Sequence, residues 1–260
     1  MGLRASILKL TNRLIGYFGI RLTRLQQPGQ PRKVFPRGNF FDVLEKHLHA
    51  SANMTILDIG AYNGISAKRF HTLFPHACIH SFEPGPDSYL ALDEMSRSAE
   101  YDTRIVPHRL ALSSQAGSRL FHRHQAPQTD SLLDTHPDAL KQWPDGRFDP
   151  IASVETTVET VDRFCTNAGI DTIDIMKIDA QGEDLNILRG AESMLSQGRV
   201  GIVVVELYYV PVYRGQGEPH EIIQYLDQQG FANIAYLCHD TDKSGRLLCV
   251  DAVFERKKIL

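Results

Sequence analysis

From Thr55 onward, short apolar runs alternate with segments whose apolar residues recur every three or four positions. Thr55–Ile59 is an apolar run closing on Asp58-Ile59-Gly60 and predicts a buried strand. Ile65, Arg69, Phe70 and Leu73 predict a helix stopped by Pro75. Ala77–Phe82 predicts a second strand, and Pro84 leads into a helix reaching about Met95. Arg104–Leu112 reads as a third strand, interrupted by Pro107. Residues 113–153 are polar and aperiodic, with several His, Pro and Asp residues, and are expected to be irregular. A stretch of that length inside a domain is usually functional or mobile. Val154–Val158 predicts a short strand, and Val161–Ala168 a helix ending at Gly169. Ile173–Ile178 predicts a strand, and Leu185, Leu188, Ala191 and Leu195 one helix face. Gly201–Leu207 is nearly continuous apolar sequence, the pattern of a strand buried on both faces. Pro219–Gln229 has proline near its start and Gly230 just past its end, as helices do. The tail, Ala232–Phe254, predicts paired strands. Strands alternating with helices imply an α/β fold, with a mostly parallel sheet covered on both faces. The tail adds an antiparallel pair.

The first 38 residues read differently. Leu3, Ile7, Leu10, Leu14, Tyr17/Phe18, Leu22 and Leu25 form one helical stripe, with Arg and Lys filling much of the rest. Gln26–Gly38 carries three prolines and two glycines and reads as a linker. The predicted organisation is therefore a basic amphipathic helix and linker over 1–38, then one domain over 39–260. Charges interrupt the apolar stripe too often for a membrane span. A helix lying on an anionic membrane surface through residues 1–25 fits the pattern. A helix packed on its own domain or on a second subunit fits it as well, and a mitochondrial transit peptide is a third reading.

Composition sharpens this picture. All 31 acidic residues lie at or beyond Asp42, whereas eight of the 28 Lys and Arg precede it. A basic arm is thus joined to an acidic body, which argues against nucleic acid as a partner. The four cysteines, Cys78, Cys165, Cys238 and Cys249, show no metal-ligand spacing. They point to no metal site and to a reduced, cytoplasmic protein, with peripheral contact at the inner face of a membrane if the arm binds lipid. The eleven histidines give no metal pattern either.

Three motifs carry chemistry. Asp58-Ile59-Gly60-Ala61-Tyr62-Asn63-Gly64 sits between a strand and a helix, where glycines allow a sharp turn and close approach of a ligand to the main chain. It lacks the GxGxxG of dinucleotide folds, so a pyrophosphate is not expected there. Its acid, Asp58, suits a cationic ligand group. Phe82-Glu83-Pro84 ends the next strand, with Glu83 at a spacing from Asp58 suited to clamping a ribose. The third motif is Met176-Lys177-Ile178-Asp179-Ala180-Gln181-Gly182-Glu183-Asp184, followed by Leu188-Arg189-Gly190-Ala191. Asp179 ends a strand at the edge where α/β folds bind ligands. Glu183 and Asp184 suit the first turn of the following helix, and Lys177 reads equally as a site residue or an ion-pair partner.

These motifs resemble the FkbM family of methyltransferases, over about Thr55–Gly230. The sequence departs from the family pattern at Tyr62, where Asn is usual, and at Gln181, where Glu is usual. The resemblance implies a Rossmann-like methyltransferase fold and S-adenosyl-L-methionine as cofactor. It implies methyl transfer to a hydroxyl of a small molecule, sugar, glycan or natural product. Asp58, Gly60, Ala61, Asn63 and Gly64 would line the methionine part, Glu83 the ribose, and Ala111 and Leu112, ending the third strand, the adenine. Asp179 is the expected catalytic residue, orienting the cofactor amine or taking the acceptor proton. Asp130, Ser131, Trp143 and Glu206 are candidates for the acceptor side. A nicotinamide-dependent oxidoreductase and an inactive cofactor-binding relative are the alternatives, and an oligomer is compatible with all three.

Overall fold

The computed structural model describes residues 39–48 and 54–257. The chain divides into Met1–Val34 and Phe35–Leu260, and the second unit holds every described residue. The predicted arm helix lies outside them. Helix α1 (Phe40–His47) is capped by the Asn39 side chain, which accepts from the Phe41 N–H.

The described strands form a seven-stranded sheet of order β3-β2-β1-β7-β8-β10-β9. Its members are β1 (Thr55–Ile59), β2 (Cys78–Phe82), β3 (Ile105–His108), β7 (Ile173–Ile178), β8 (Val200–Tyr208), β9 (Phe231–Thr241) and β10 (Leu247–Arg256). Pairing is parallel from β3 to β8, and β10 runs antiparallel to both β8 and β9. The fold is the expected Rossmann-like α/β architecture. Alternate residues of the central strands enter opposite cores: Leu57, Met176 and Val203 on one face, Ile56, Ile175 and Ile202 on the other. This is why β1, β7 and β8 read as largely apolar runs.

Helices α2 (Ile65–Leu73), α3 (Pro86–Ser96), α5 (Val161–Ala168) and α8 (Pro219–Gln228) lie close to their predicted bounds. The face predicted over Leu185–Leu195 is two short helices instead, α6 (Asp184–Arg189) and α7 (Glu192–Ser196). The break falls at Gly190, where a Cβ would stand 2.1 Å from the Ser113 carbonyl oxygen. A crossing segment therefore presses on the chain where the helix would otherwise continue.

Two further expectations are corrected. The third strand stops at His108, and Ala111–Leu112 is a separate strand, β4, in a second sheet of order β4-β6-β5. Pro107 sits on β3, an edge strand of the main sheet, where the missing donor is tolerated. Residues 113–153 are also not irregular. They contain β5 (Gly117–His124), helix α4 (Pro137–Gln142) and the start of β6 (Pro150–Glu159). Much of β5 and β6 is exposed, so little apolar alternation marks them.

Candidate active site

The chain leaves β1 for β2 and β3 on one side and returns through β7 on the other, so a switch point lies between β1 and β7. Ligands of open α/β sheets bind beyond the carboxyl ends of such strands. A cavity of about 280 Å³ lies there, walled by the turns after β1, β2, β3 and β7 and by the second sheet.

The turn after β1 is held by backbone contacts. Gly60 has φ 75°, and a Cβ there would stand 1.9 Å from the Asp179 carbonyl oxygen, so only glycine fits. The Gly60 and Ala61 N–H groups both donate to the Phe82 carbonyl, at 3.1 and 3.0 Å. The turn is thereby tied to the end of β2, beside Glu83.

Glu83 is 7% exposed. It accepts from Gly85 N–H at 2.7 Å and Tyr62 N–H at 2.9 Å. Burial pushes its carboxyl up to about 8, against those two N–H groups and Lys177, which pull it down. Tyr62 makes this contact through its main chain.

Register decides the role of Lys177. Asp58 and Lys177 are direct neighbours across β1 and β7. The Lys177 ammonium is buried, 3.3 Å from Asp58 Oδ1, 3.5 Å from Asp179 Oδ2, 2.9 Å from the Gly60 carbonyl and 3.4 Å from that of Ile59. Burial alone would lower its pKa, but Asp179 and Asp58 hold it above the usual lysine value. The cation that relieves these acids is therefore part of the chain. Asp58 is fully buried, accepts from Ser66 Oγ at 2.6 Å, and lies behind the cavity wall rather than on it.

Asp179 lines the cavity with a side chain 42% exposed. Gln181 Nε2 donates to its Oδ1 at 2.7 Å, while Gln181 Oε1 lies 3.0 and 2.8 Å from the Tyr208 and Tyr213 hydroxyls. A glutamine suits this place because one end donates and the other accepts. Gln181 has φ 52°, and Ser131 Oγ pins its carbonyl at 2.7 Å. Ser131 thus shapes the wall from behind.

Glu183 makes no capping bond, contrary to the simplest reading of its position. It is 1% exposed and accepts from Ser113 Oγ at 2.5 Å and Arg119 Nη1 at 2.7 Å through Oε1. Among the described residues its Oε2 has no hydrogen-bond partner, nor has Asn63 Oδ1 on the same wall. Asp130 also lines the cavity, and its backbone-bound carboxyl is pushed up to about 6 by burial. Leu110, Ala111, Leu112, Phe121 and Leu132 supply an apolar stretch of wall.

Of the residues predicted from sequence, Gly60, Ala61, Asn63, Glu83, Ala111, Leu112, Asp130 and Asp179 meet on this wall. Asp58, Gly64, Ser131, Trp143 and Glu206 do not. Trp143 packs on Phe148, with ring centroids 5.3 Å apart, and its Nε1 points at Asp240 Oδ2, 3.4 Å away. It is a packing anchor. Glu206 is buried on β8, paired in register with Asp251. Arg69, Phe121 and Glu183 line the cavity without having been singled out for it. For Arg69 a signal existed, since it stands on the face of α2 that carries Ile65 and Ser66.

The family model described as "Methyltransferase FkbM domain" matches residues 58–232. The chain belongs to the FkbM methyltransferase family. Its cofactor is S-adenosyl-L-methionine, and the nicotinamide alternative falls. Among curated relatives, the chain is 29% identical over 167 residues to the 2-O-methyltransferase NoeI of Sinorhizobium fredii, covering 62% of this chain and 66% of that one. It is 25% identical over 204 residues to the 31-O-demethyl-FK506 methyltransferase FkbM of Streptomyces tacrolimicus, covering 69% and 73%. It is 28% identical over 142 residues to the hexuronic acid methyltransferase AglP of Haloferax volcanii, covering 51% of each. A solved FkbM methyltransferase from Methylobacillus flagellatus superposes with TM-score 0.52 at 16% identity, covering 80% of this chain. The match spans just under two thirds of NoeI and 44% of that solved chain.

The cavity fits the cofactor. Two acceptor atoms without partners among the described residues, Asn63 Oδ1 and Glu183 Oε2, stand on its wall, together with the strand-end acid Glu83. The apolar stretch offers a surface for a flat ring.

Proposed function

We propose that this FkbM methyltransferase methylates a hydroxyl oxygen of a sugar, glycan or sugar-bearing natural product. The observation that carries this reading is Asp179. Among the acids of the cavity wall it is the one with an accessible carboxylate, 42% exposed against 4% for Asp130 and 1% for Glu183. Gln181 and Lys177 fix its orientation. The relatives NoeI, FkbM and AglP, two of them named for methylated oxygens and one for a hexuronic acid, support the same class of acceptor.

The cofactor supplies an electrophilic methyl on a sulfonium. The chain's own contribution is to hold and orient. Glu83 would take the ribose hydroxyls, and Asn63 and Asp179 the methionyl amine. Asp179 would also receive the acceptor hydroxyl and draw off its proton as the new C–O bond forms. Most of the acceleration would come from orientation and proximity, with proton removal adding the smaller general-base share.

The test is an acceptor panel with the full-length chain and S-adenosylmethionine, reading S-adenosylhomocysteine and locating the new methyl by mass spectrometry and NMR. Neutral sugars, hexuronic acids, glycans and lipid-linked sugars belong in it. A methyl ether on a sugar oxygen is expected. Methylation of nitrogen or carbon instead would refute the reading, and cofactor binding without turnover on any acceptor would favour an inactive relative.

A further inference from the structure

We infer that Arg69 binds the methionyl carboxylate of S-adenosylmethionine. This rests on the cofactor assignment and adds a binding residue to it. The ionisable groups on the cavity wall are Glu83, Asp130, Asp179 and Glu183 against Lys177 and Arg69. The methionyl end of the cofactor carries an ammonium and a carboxylate. The ammonium finds acceptors easily on so acidic a wall. The carboxylate needs a cation, because an anion facing acids at a partly desolvated site is strongly disfavoured.

Lys177 cannot serve. Its three protons already face four acceptors, namely Asp58, Asp179 and the carbonyls of Ile59 and Gly60. It is also buried at the root of the turn. Arg69 is in no ion pair or hydrogen bond with any described residue. Among the described residues its contact is with the Phe41 ring, whose centroid lies 4.3 Å from the guanidinium carbon. Phe41 itself lines the cavity. The ring holds the guanidinium in place, and a guanidinium pairs with a carboxylate through two parallel bonds along its N–H edge.

Position agrees with charge. Ile65, Ser66 and Arg69 share one face of α2, and all three stand on the cavity wall next to Tyr62 and Asn63. Glu83, the ribose candidate, ends the neighbouring strand. Arg69 therefore belongs to the part of the wall shared with the β1 turn, where the methionyl end is expected.

The experiment compares two ligands by calorimetric titration: S-adenosylmethionine and its decarboxylated analogue, which keeps the amine and sulfonium. Arg69→Gln retains the side-chain stem against Phe41 and removes the charge. It is expected to bind S-adenosylmethionine roughly tenfold more weakly, the scale of a charge-assisted pair near solvent. Its affinity for the decarboxylated analogue should match that of the wild type. Arg69→Lys should recover part of the loss, since charge returns without the fork. Equal weakening of both ligands, or of neither, would overturn the assignment. So would unchanged cofactor affinity with a raised KM confined to acidic acceptors, which would place Arg69 on the acceptor. Wild-type protein that binds neither ligand would overturn the cofactor assignment as well.

Discussion

Replacing Glu83 by Gln removes an ionisable carboxyl and almost no volume, at a side chain whose two oxygens are both occupied. In the wild type, Oε1 accepts from Gly85 N–H and Oε2 from Tyr62 N–H. The amide of Gln offers one acceptor and one donor, so one of those N–H groups must face an N–H₂ group. A buried donor left without an acceptor costs about 1–3 kcal/mol, so the variant should be less stable by roughly that amount in urea unfolding. The ribose bonds lose their ionic acceptor as well. Hydrogen bonds to charged groups are worth about 1.5–3 kcal/mol, which is roughly ten- to a hundredfold in affinity. The assay is calorimetric titration with S-adenosylhomocysteine, at a denaturant-free temperature where circular dichroism shows both proteins folded. Proton linkage gives an independent check. Free Glu83 titrates at about 8 because of burial, and hydroxyl donors favour its ionised form. Binding should therefore release a proton below that pH, and wild-type affinity should rise as pH climbs toward 8 and then level. The Gln variant should lack this rise. For ligand-free protein the sign is opposite. A carboxyl raised in the folded state contributes most stability below its unfolded value near 4.5, and that contribution is lost as pH rises to about 8. A folded Glu83→Gln protein with wild-type affinity and an unchanged pH profile would refute the ribose assignment.

Asp179→Asn keeps the shape and the Gln181 contact region but removes the charge, and should lower turnover about a hundredfold or more, the usual scale for losing a general base. Single-turnover kinetics showing near-normal rates on the true acceptor would contradict that role. Lys177→Met leaves Asp58 and Asp179 without their shared cation, and breaking a buried pair in this way should cost about 3–5 kcal/mol. Equilibrium unfolding with an unchanged midpoint would show that the ion pairs do not hold the turn. Removing residues 1–30 should lower co-sedimentation with anionic vesicles and leave cofactor affinity intact, and co-sedimentation of the intact chain should weaken as salt rises. Loss of folding on deletion would instead support a packed arm.

The sequence by itself determined the α/β architecture and most of the main sheet. Doubly buried strands such as Ile173–Ile178 and Gly201–Leu207 announce themselves, because both of their faces must be apolar. It also determined that Gly60, Glu83 and Asp179 follow strand ends, since all three end or follow an apolar run at the ligand-binding edge of the sheet. What it left open depends on neighbours distant along the chain. Lys177 was ambiguous until register placed it opposite Asp58. Glu183 passed for a cap until the second sheet brought Ser113 and Arg119 to it. That sheet was itself hidden, because β5 and β6 are too exposed to carry an apolar alternation. Trp143 shows the converse limit: a tryptophan in a polar stretch is equally fit to stack on a sugar or on Phe148, and only tertiary contact selects between them. Local periodicity records which faces a segment buries. It does not record which side chain of another segment will meet them, and a site built from four turns and a second sheet is made almost wholly of such meetings.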